Sequence, residues 1–228
     1  LRFSPAKNQA GELAYTRQHG ANILYPYLLM DSPYDIADRL SARYEFRELS
    51  GALERVQING YYTAVNHWMT DEKRLSSLQA RDVFSMATFA RTRAAGGRAD
   101  FFLRRGWTFG VESFQRNWNA LNSMRSMMMV LDQDIIPNVN TTILGAYADW
   151  KYNLTERLRI GAGARIDTAN MYVRKQSPEL ALYRAFKGVD NLSRRDTNPS
   201  AQVNVNYGLT ESLELFAGAA TTVRIPDA

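Results

Sequence analysis

Cysteine is absent from this chain of 228 residues, and histidine occurs only twice. Without thiols the sequence offers neither a disulfide nor a thiolate metal site. No run of residues approaches the ~20 consecutive apolar positions that a membrane-spanning helix requires, so no transmembrane helix is predicted. A transmembrane β-barrel stays open, because its strands place apolar residues only at every second position and each gives a weak signal.

Positive charge exceeds negative charge, with a net charge of +5 at pH 7 and a pI near 9.5. A basic balance can indicate nucleic-acid binding, but the arginines are spread through many segments rather than concentrated in one run. We therefore expect no nucleic-acid partner. The acidic residues are scattered and suggest no catalytic set, so no enzymatic activity is predicted.

Alternation of apolar and polar residues is the clearest pattern in the chain. Between Arg157 and Asp167, the even-numbered residues from Leu158 to Ile166 are apolar, and the odd-numbered ones are charged or glycine. Successive side chains of a strand point to opposite faces, so this segment predicts a strand with one apolar and one polar face. Eight more strands are predicted at 11–18, 39–47, 55–62, 82–92, 99–112, 144–152, 201–207 and 213–224.

Connections between these nine predicted strands alternate in length. Short turns are predicted at 49–51, 95–97, 153–156 and 208–211. Long polar connections are predicted at 19–38, 67–81, 113–142 and 168–200. Outer-membrane barrels alternate short periplasmic turns with long external loops. The sequence therefore predicts an all-β fold, a transmembrane antiparallel β-barrel segment of about nine meander strands. Because bacterial barrels close with even strand numbers and large ones hold a plug, it would belong to a larger plugged barrel.

Stretches spread over nearly the whole chain carry further information, at 30–35, 38–44, 66–71, 92–98, 114–119, 136–139, 181–186, 215–218 and 222–227. They resemble barrel segments of the TonB-dependent outer-membrane copper receptors. The resemblance implies a bacterial outer-membrane location among lipid and lipopolysaccharide, and a barrel of about 22 strands. It also implies an N-terminal plug that contacts the TonB complex. On this interpretation residues 1–228 are a partial barrel domain, from which the plug domain and the closing strands are absent.

A methionine cluster in the connection predicted at 113–142 is the first candidate metal site. Its members are Met124, Met127, Met128 and Met129. Thioether sulfur is a soft ligand that suits Cu(I), so the cluster predicts copper capture. Methionine is also an adaptable packing residue, and Arg125 within the cluster would repel a cation. Both interpretations stay open from the sequence alone.

A second candidate is the pair His67 and Met69, whose spacing places both side chains on one face of a strand. Imidazole suits copper in either oxidation state, although His67 and Trp68 could instead be interfacial aromatic residues. The family resemblance implies a third candidate, Met30, at the methionine position of a His-x-Met pair whose histidine position is Leu28 here. We predict copper as the transported ligand and no organic cofactor.

Two other functions stay open. A TonB-dependent receptor for an iron-siderophore chelate would rely on aromatic contacts, and Tyr25, Tyr27 and Tyr34 lie in the first predicted connection. A soluble all-β binding protein would bury its apolar face in a core. Small residues such as Ala162 and Ala164 on that face would fill a core poorly.

Overall fold

One antiparallel sheet of ten strands contains most of the chain that the computed structural model describes. The described residues are 1–49, 51–75, 84–127, 129–174 and 191–223, together with Gln79, Ala185 and Gly188. The strands are β1 (Arg2–Phe3), β2 (Gln9–Ile23), β3 (Asp31–Phe46), β4 (Leu53–Thr70), β5 (Phe84–Leu103), β6 (Trp107–Ser126), β7 (Met129–Asn153), β8 (Leu158–Val173), β9 (Ser193–Gly208) and β10 (Glu214–Thr221). No helix among the described residues is long and apolar enough to cross a membrane.

Each strand pairs with its sequence neighbours, so the predicted antiparallel meander is confirmed. The turns predicted at 49–51, 153–156 and 208–211 all fall at one end of the sheet. We call that end the turn end and the opposite end the outer end. The strand β1 has only two residues and was not predicted.

The turn predicted at 95–97 is wrong. These residues lie inside β5, where Gly96 pairs with Tyr61 of β4. A side chain at Gly96 would meet the Tyr61 ring, so the glycine makes room for a neighbouring aromatic. The chain reverses instead at the short 3-10 turn Arg104–Gly106. There Gly106 has a φ of 80°, in the left-handed region that glycine occupies without steric cost.

The long connection predicted at 113–142 is also wrong. Most of these residues belong to β6 and β7, which pair as far as Ser126 and Met129 and leave only 127–128 between them. The other outer connections, 24–30, 71–83 and 174–192, are shorter than predicted. Near the outer end both faces carry polar residues, so the period of two disappears from the sequence although the strands continue.

The sheet has one apolar and one polar face, as the alternation predicted. The even-numbered residues of β8 from Leu158 to Ile166 lie on one face of the sheet. Trp150 of β7 and Val203 of β9 lie on the same face. The opposite face carries Arg159 and Arg165. These two sets are called the apolar face and the polar face below.

Ion pairs on the polar face connect strands that are not neighbours. Arg165 of β8 lies 3.0 Å from Glu112 of β6 and 2.7 Å from Asp167. The pair crosses Gly145 of β7, where any side chain would meet Arg165. Arg159 of β8 similarly reaches Glu214 of β10 at 2.5 Å. Exposed pairs of this kind contribute about 0.2–1 kcal/mol each, so they adjust the sheet rather than hold it together.

Aromatic residues mark both limits of the apolar face. Toward the turn end, Trp107 lies 6.0 Å from Trp150, ring centre to ring centre. Toward the outer end, Trp68 lies 5.8 Å from Phe89. Along β5, Phe89 and Phe101 stand about 40 Å apart at ~3.3 Å per residue. A tilt of about 45° reduces this to about 28 Å, close to the apolar band of a membrane barrel.

Arginine in place of Ala162, on the apolar face of β8, is expected to destabilise the full-length protein in lipid. The substitution Ala162→Arg should lower the free energy of unfolding by up to roughly 2–4 kcal/mol, because it puts a charge into hydrocarbon. The measurement is a denaturant titration in lipid vesicles followed by tryptophan fluorescence. Asn204→Arg, on the polar face of β9, is the matched control and should cost much less. Equal costs at the two positions would show that the faces are assigned wrongly.

Candidate metal-capture site

Five of the predicted metal contacts lie at the outer end of the polar face, namely Met30, His67, Met69, Met124 and Met129. Met69 of β4 is the Cα partner of Thr88 of β5, whose other partner is Asn122 of β6. The Thr88 hydroxyl donates to Asn122 Oδ1 at 2.9 Å and lies 3.9 Å from the sulfur of Met30. Met30, which directly precedes β3, therefore reaches across β4 as far as β5.

Met86 and Met124 stand directly opposite each other on β5 and β6. The carbonyl of Met86 accepts a hydrogen bond from the amide of Asp71 at 3.2 Å, so the backbone polar groups of Met86 point away from β6. Met86 and Met124 therefore form a non-hydrogen-bonded pair of the antiparallel ladder, in which the two Cα atoms are about 4.5 Å apart. The two thioether side chains are therefore close neighbours on the polar face.

Met129 extends this arrangement to the tip of the β6–β7 hairpin. It pairs with Ser126, whereas Met124 pairs with Leu131. Met129 is thus a diagonal neighbour of Met124, with a Cα separation of about 7–8 Å. Met69 and Met86 are diagonal neighbours in the same way across β4 and β5.

We call Met30, Met69, Met86, Met124 and Met129 the methionine row. Its first four members are half-buried, and Met129 is 61% exposed. Met127 sits on the hairpin turn and is 71% exposed. Met128 lies outside the described residues.

His67 shares the polar face with Met69, as their spacing predicted. Its Nδ1 lies 3.4 Å from Oδ2 of Asp35 on the neighbouring strand β3. A carboxylate at one ring nitrogen orients an imidazole and leaves the other nitrogen available to a metal. Trp68 lies on the opposite face and stacks on Tyr34, with ring centres 6.3 Å apart.

A hydrogen-bonded strap positions the connection that ends at Met30. Oδ1 of Asp31 accepts from the amide of Tyr25 at 2.9 Å and from Arg74 at 2.5 Å. Arg74 also donates to the carbonyl of Tyr25 at 2.6 Å. The segment after β4 therefore holds the 24–30 connection closed beside the methionine row.

Several sequence-based expectations about this region change. Arg125 pairs with Ser85 and Val130 and lies on the face opposite Met124, so its charge does not sit among the thioethers. Met86 was not among the predicted metal contacts, because it falls in an irregular segment of the sequence and joins the row only through strand pairing. The available signal was its spacing of two residues from Thr88, which places both side chains on one face of β5.

Donor chemistry at this end is dominated by sulfur. Within the described part of the chain, no group of three or more His, Cys, Asp or Glu side chains could hold a metal ion. The methionine row, with His67 beside it, brings together soft thioethers and one imidazole. Such donors favour Cu(I) over oxygen-preferring ions such as Mg²⁺.

The fold and the two faces of the sheet define the class of protein to which this chain belongs. A sequential antiparallel sheet, apolar on one face between two sets of aromatic residues and charged on the other, is the wall of an outer-membrane barrel. Residues 2–228 match the family model described as TonB dependent receptor-like, beta-barrel. The chain belongs to this family, whose members are outer-membrane receptors and transporters rather than enzymes.

Solved structures of similar fold include receptors for different substrates. The copper transporter OprC is 24% identical, with a TM-score of 0.80 and alignment over 99% of this chain and 35% of that one. The ferric citrate transporter FecA in its unliganded form is 12% identical (TM-score 0.64; 95% and 34% covered). The ferric yersiniabactin uptake receptor FyuA from Yersinia pestis is 13% identical (TM-score 0.58; 92% and 34% covered).

These likenesses concern the fold, and the chain spans about a third of the length of each of the three. No curated protein matches the chain in sequence.

A disulfide trap tests the pairing at the centre of the row. Met86→Cys with Met124→Cys should oxidise to a disulfide, since Cα atoms about 4.5 Å apart lie within the 4.4–6.8 Å range of disulfides. Ser85→Cys with Met124→Cys is the control, because those two side chains point to opposite faces. Mass spectrometry of unreduced peptides from the full-length receptor measures both. A cross-link only in the control would mean that the register is shifted by one residue.

Proposed function

We propose that this chain is part of a TonB-dependent receptor that captures copper outside the cell and imports it through the outer membrane. The observation that carries the proposal is the methionine row. Five thioethers follow one another on the polar face, from the exposed hairpin tip to Met30 beside the strap. Thioethers suit Cu(I), and the row presents five of them side by side.

The row suits stepwise transfer of an ion. Exposed Met127 and Met129 would meet copper first, and the half-buried members would receive it next. Opposite and diagonal neighbours across paired strands stand about 4.5–8 Å apart, so an ion can contact a new sulfur before it leaves the previous one. Met128, within the predicted cluster, would assist at the tip.

Met30 and His67 would contact copper at the inner part of this path. His67 has its carboxylate partner on β3, which favours a fixed ring orientation. Leu28, at the family's histidine position, is 49% exposed and supplies no donor atom. His67 would therefore provide the imidazole that Leu28 does not, and Met69 would add a thioether beside it.

The surroundings of the two faces follow from the same proposal. The apolar face meets the lipid of the outer membrane, and the polar face lines an interior that holds a plug. Residues 1–228 form a partial barrel domain, and the plug domain and closing strands lie outside it. Coupling to TonB would pass through that plug.

A receptor for an iron chelate is the second candidate. The printed names of FecA and FyuA connect the same fold with ferric citrate and ferric yersiniabactin, and Tyr27 is 99% exposed in the 24–30 connection. Tyr34 does not support this candidate, because it lies on the apolar face against Trp68. The soluble all-β alternative is not carried forward, since the chain belongs to a family of outer-membrane proteins.

Substitution of Met30 should weaken copper binding by the full-length receptor. Met30→Leu keeps the side-chain volume and removes the thioether, so we expect a loss of roughly tenfold in affinity, about 1.4 kcal/mol. Met171→Leu is the matched control, because Met171 lies on β8 and outside the row. Bound copper is measured by mass spectrometry after exposure to Cu(I) or Cu(II). Wild-type protein that carries no copper would instead favour the iron-chelate candidate, while copper binding indifferent to Met30 would place the site in the plug.

Substitution at the hairpin tip should act on uptake more than on affinity. The triple variant Met127→Leu, Met128→Leu and Met129→Leu removes the exposed thioethers and leaves the half-buried ones. We expect slower copper accumulation by cells at limiting copper, with near-normal copper content of the purified receptor at saturation. Equal uptake by the variant and the wild type would remove the tip from the proposed path.

A further inference from the structure

A buried carboxylate lies beside the methionine row at the point where β4 ends. Asp71 directly follows Thr70, the last residue of β4, and only 3% of Asp71 is exposed. Burial of a carboxylate is costly unless hydrogen bonds compensate for the lost hydration. The hydrogen bonds of Asp71 therefore show which part of the structure the buried charge supports.

Asp71 extends the ladder between β4 and β5 by means of its side chain. Its amide donates to the carbonyl of Met86 at 3.2 Å, and its Oδ2 accepts from the amide of Met86 at 3.1 Å. In a regular antiparallel pair, the second acceptor would be a backbone carbonyl. Because the carboxylate takes that role, the carbonyl of Asp71 accepts instead from the amide of Arg74 at 2.9 Å. The chain can therefore turn at 71–74 while Met86 stays fixed in the sheet.

Arg74 connects this turn to Met30. Its guanidinium donates to Oδ1 of Asp31 at 2.5 Å and to the carbonyl of Tyr25 at 2.6 Å. Asp31 directly follows Met30 and is the first residue of β3, where it pairs with Thr70 of β4. The side chains of Arg74 and Asp31 are only 23% and 14% exposed, so salt screens this ion pair less than it screens a solvent-exposed one.

These contacts form a closed circuit around two thioethers. From Asp71, one branch runs to Met86, and the other runs through Arg74 and its ion pair to Met30. The circuit closes on β5, because the sulfur of Met30 lies 3.9 Å from the hydroxyl of Thr88. Thr88 and Met86 are two residues apart on β5 and so share one face. The two thioethers are therefore held by the same residues, although they belong to different parts of the sheet.

We propose that Asp71 and Arg74 are positioning residues that hold Met30 and Met86 together, so that one copper ion binds both thioethers. The inference rests on the proposed function and adds to it a chelating pair and the residues that maintain it. Thioethers that are held in place lose less conformational entropy when they bind an ion than free ones do. Neither positioning residue contacts the ion, because Asp71 is bonded to the backbone of Met86 and the guanidinium of Arg74 has no acceptor atom.

Copper affinity of the purified full-length receptor tests the proposal. Asp71→Ala removes the acceptor for the Met86 amide and should lower the affinity about tenfold, whereas Asp71→Asn keeps an oxygen acceptor and should retain most of it. Asp100→Ala is the matched control, because Asp100 is 2% exposed and lies on the same face of β5, toward the turn end. It removes an equally buried carboxylate and should leave the affinity unchanged. Heat-dependent gel mobility verifies that each variant is folded. An equal loss of affinity in Asp71→Ala and Asp100→Ala would overturn the proposal.

Double-mutant cycles separate positioning from a general effect on stability. Arg74→Ala should weaken copper binding in the wild type but add almost nothing once Met30→Leu has removed the sulfur on which Arg74 acts. Asp71→Ala should behave in the same way with Met86→Leu. Additive losses in either cycle would overturn the proposal, because an effect on stability alone does not depend on the presence of a thioether.

A measurement without copper keeps this inference distinguishable from the proposed function. Peroxide converts accessible methionine to the sulfoxide, and mass spectrometry of peptides gives the rate at each position. Arg74→Ala should raise the oxidation rate of Met30 about threefold, because the 24–30 connection loses hydrogen bonds and opens more often. The rate at Met127, on the exposed hairpin turn, should not change. An unchanged rate at Met30 overturns the inference even if the receptor binds copper. Wild-type receptor that carries no copper contradicts the proposed function, whereas the oxidation rates still show whether Arg74 positions Met30.

Discussion

Hydrogen bonding between neighbouring strands is the constraint on which the rest of this structure depends. Hydrocarbon offers no partner to an exposed amide or carbonyl, so a strand that crosses it must bond to the strands beside it. β7 meets this requirement by pairing with β6 on one side and β8 on the other. Pairing fixes the register, and the register decides which side chains share a face.

The position of the methionine row is a consequence of the register. Met86 and Arg91 lie on the same strand, five positions apart, and so they face opposite sides. A slip of one residue in the pairing of β5 would turn the thioether of Met86 toward the apolar face and Arg91 toward the polar face. Met30 depends on the strap that positions the 24–30 connection, whereas the other four members of the row depend on strand pairing. Those four lie where the strands extend past the apolar band and their side chains become free to serve binding.

Local pattern predicted the fold wherever one face had to be apolar. β8 is the clearest case, since its apolar face imposes an unbroken alternation from Leu158 to Ile166. Gly96 and Gly97 misled the prediction because adjacent glycines are typical of turns, and only the Tyr61 ring on the next strand explains them. The shared face of His67 and Met69 could be predicted from spacing alone. The position of Met86 beside them could not be predicted in this way, because it depends on the pairing of β5 with its neighbouring strands.

The tight connection at 127–128 gives the β6–β7 hairpin a particular mechanical character. At ~3.3 Å per residue, β7 extends about 80 Å, well beyond the crossing of an apolar band about 25 Å tall. The outer part of the hairpin is therefore a pair of hydrogen-bonded strands rather than an unpaired loop. On the proposed function, donor atoms held by paired strands would already be arranged when an ion arrives, so binding would involve little loss of chain entropy. Capture from dilute solution would then be limited by diffusion and ligand exchange, without a slow rearrangement of the protein before each event.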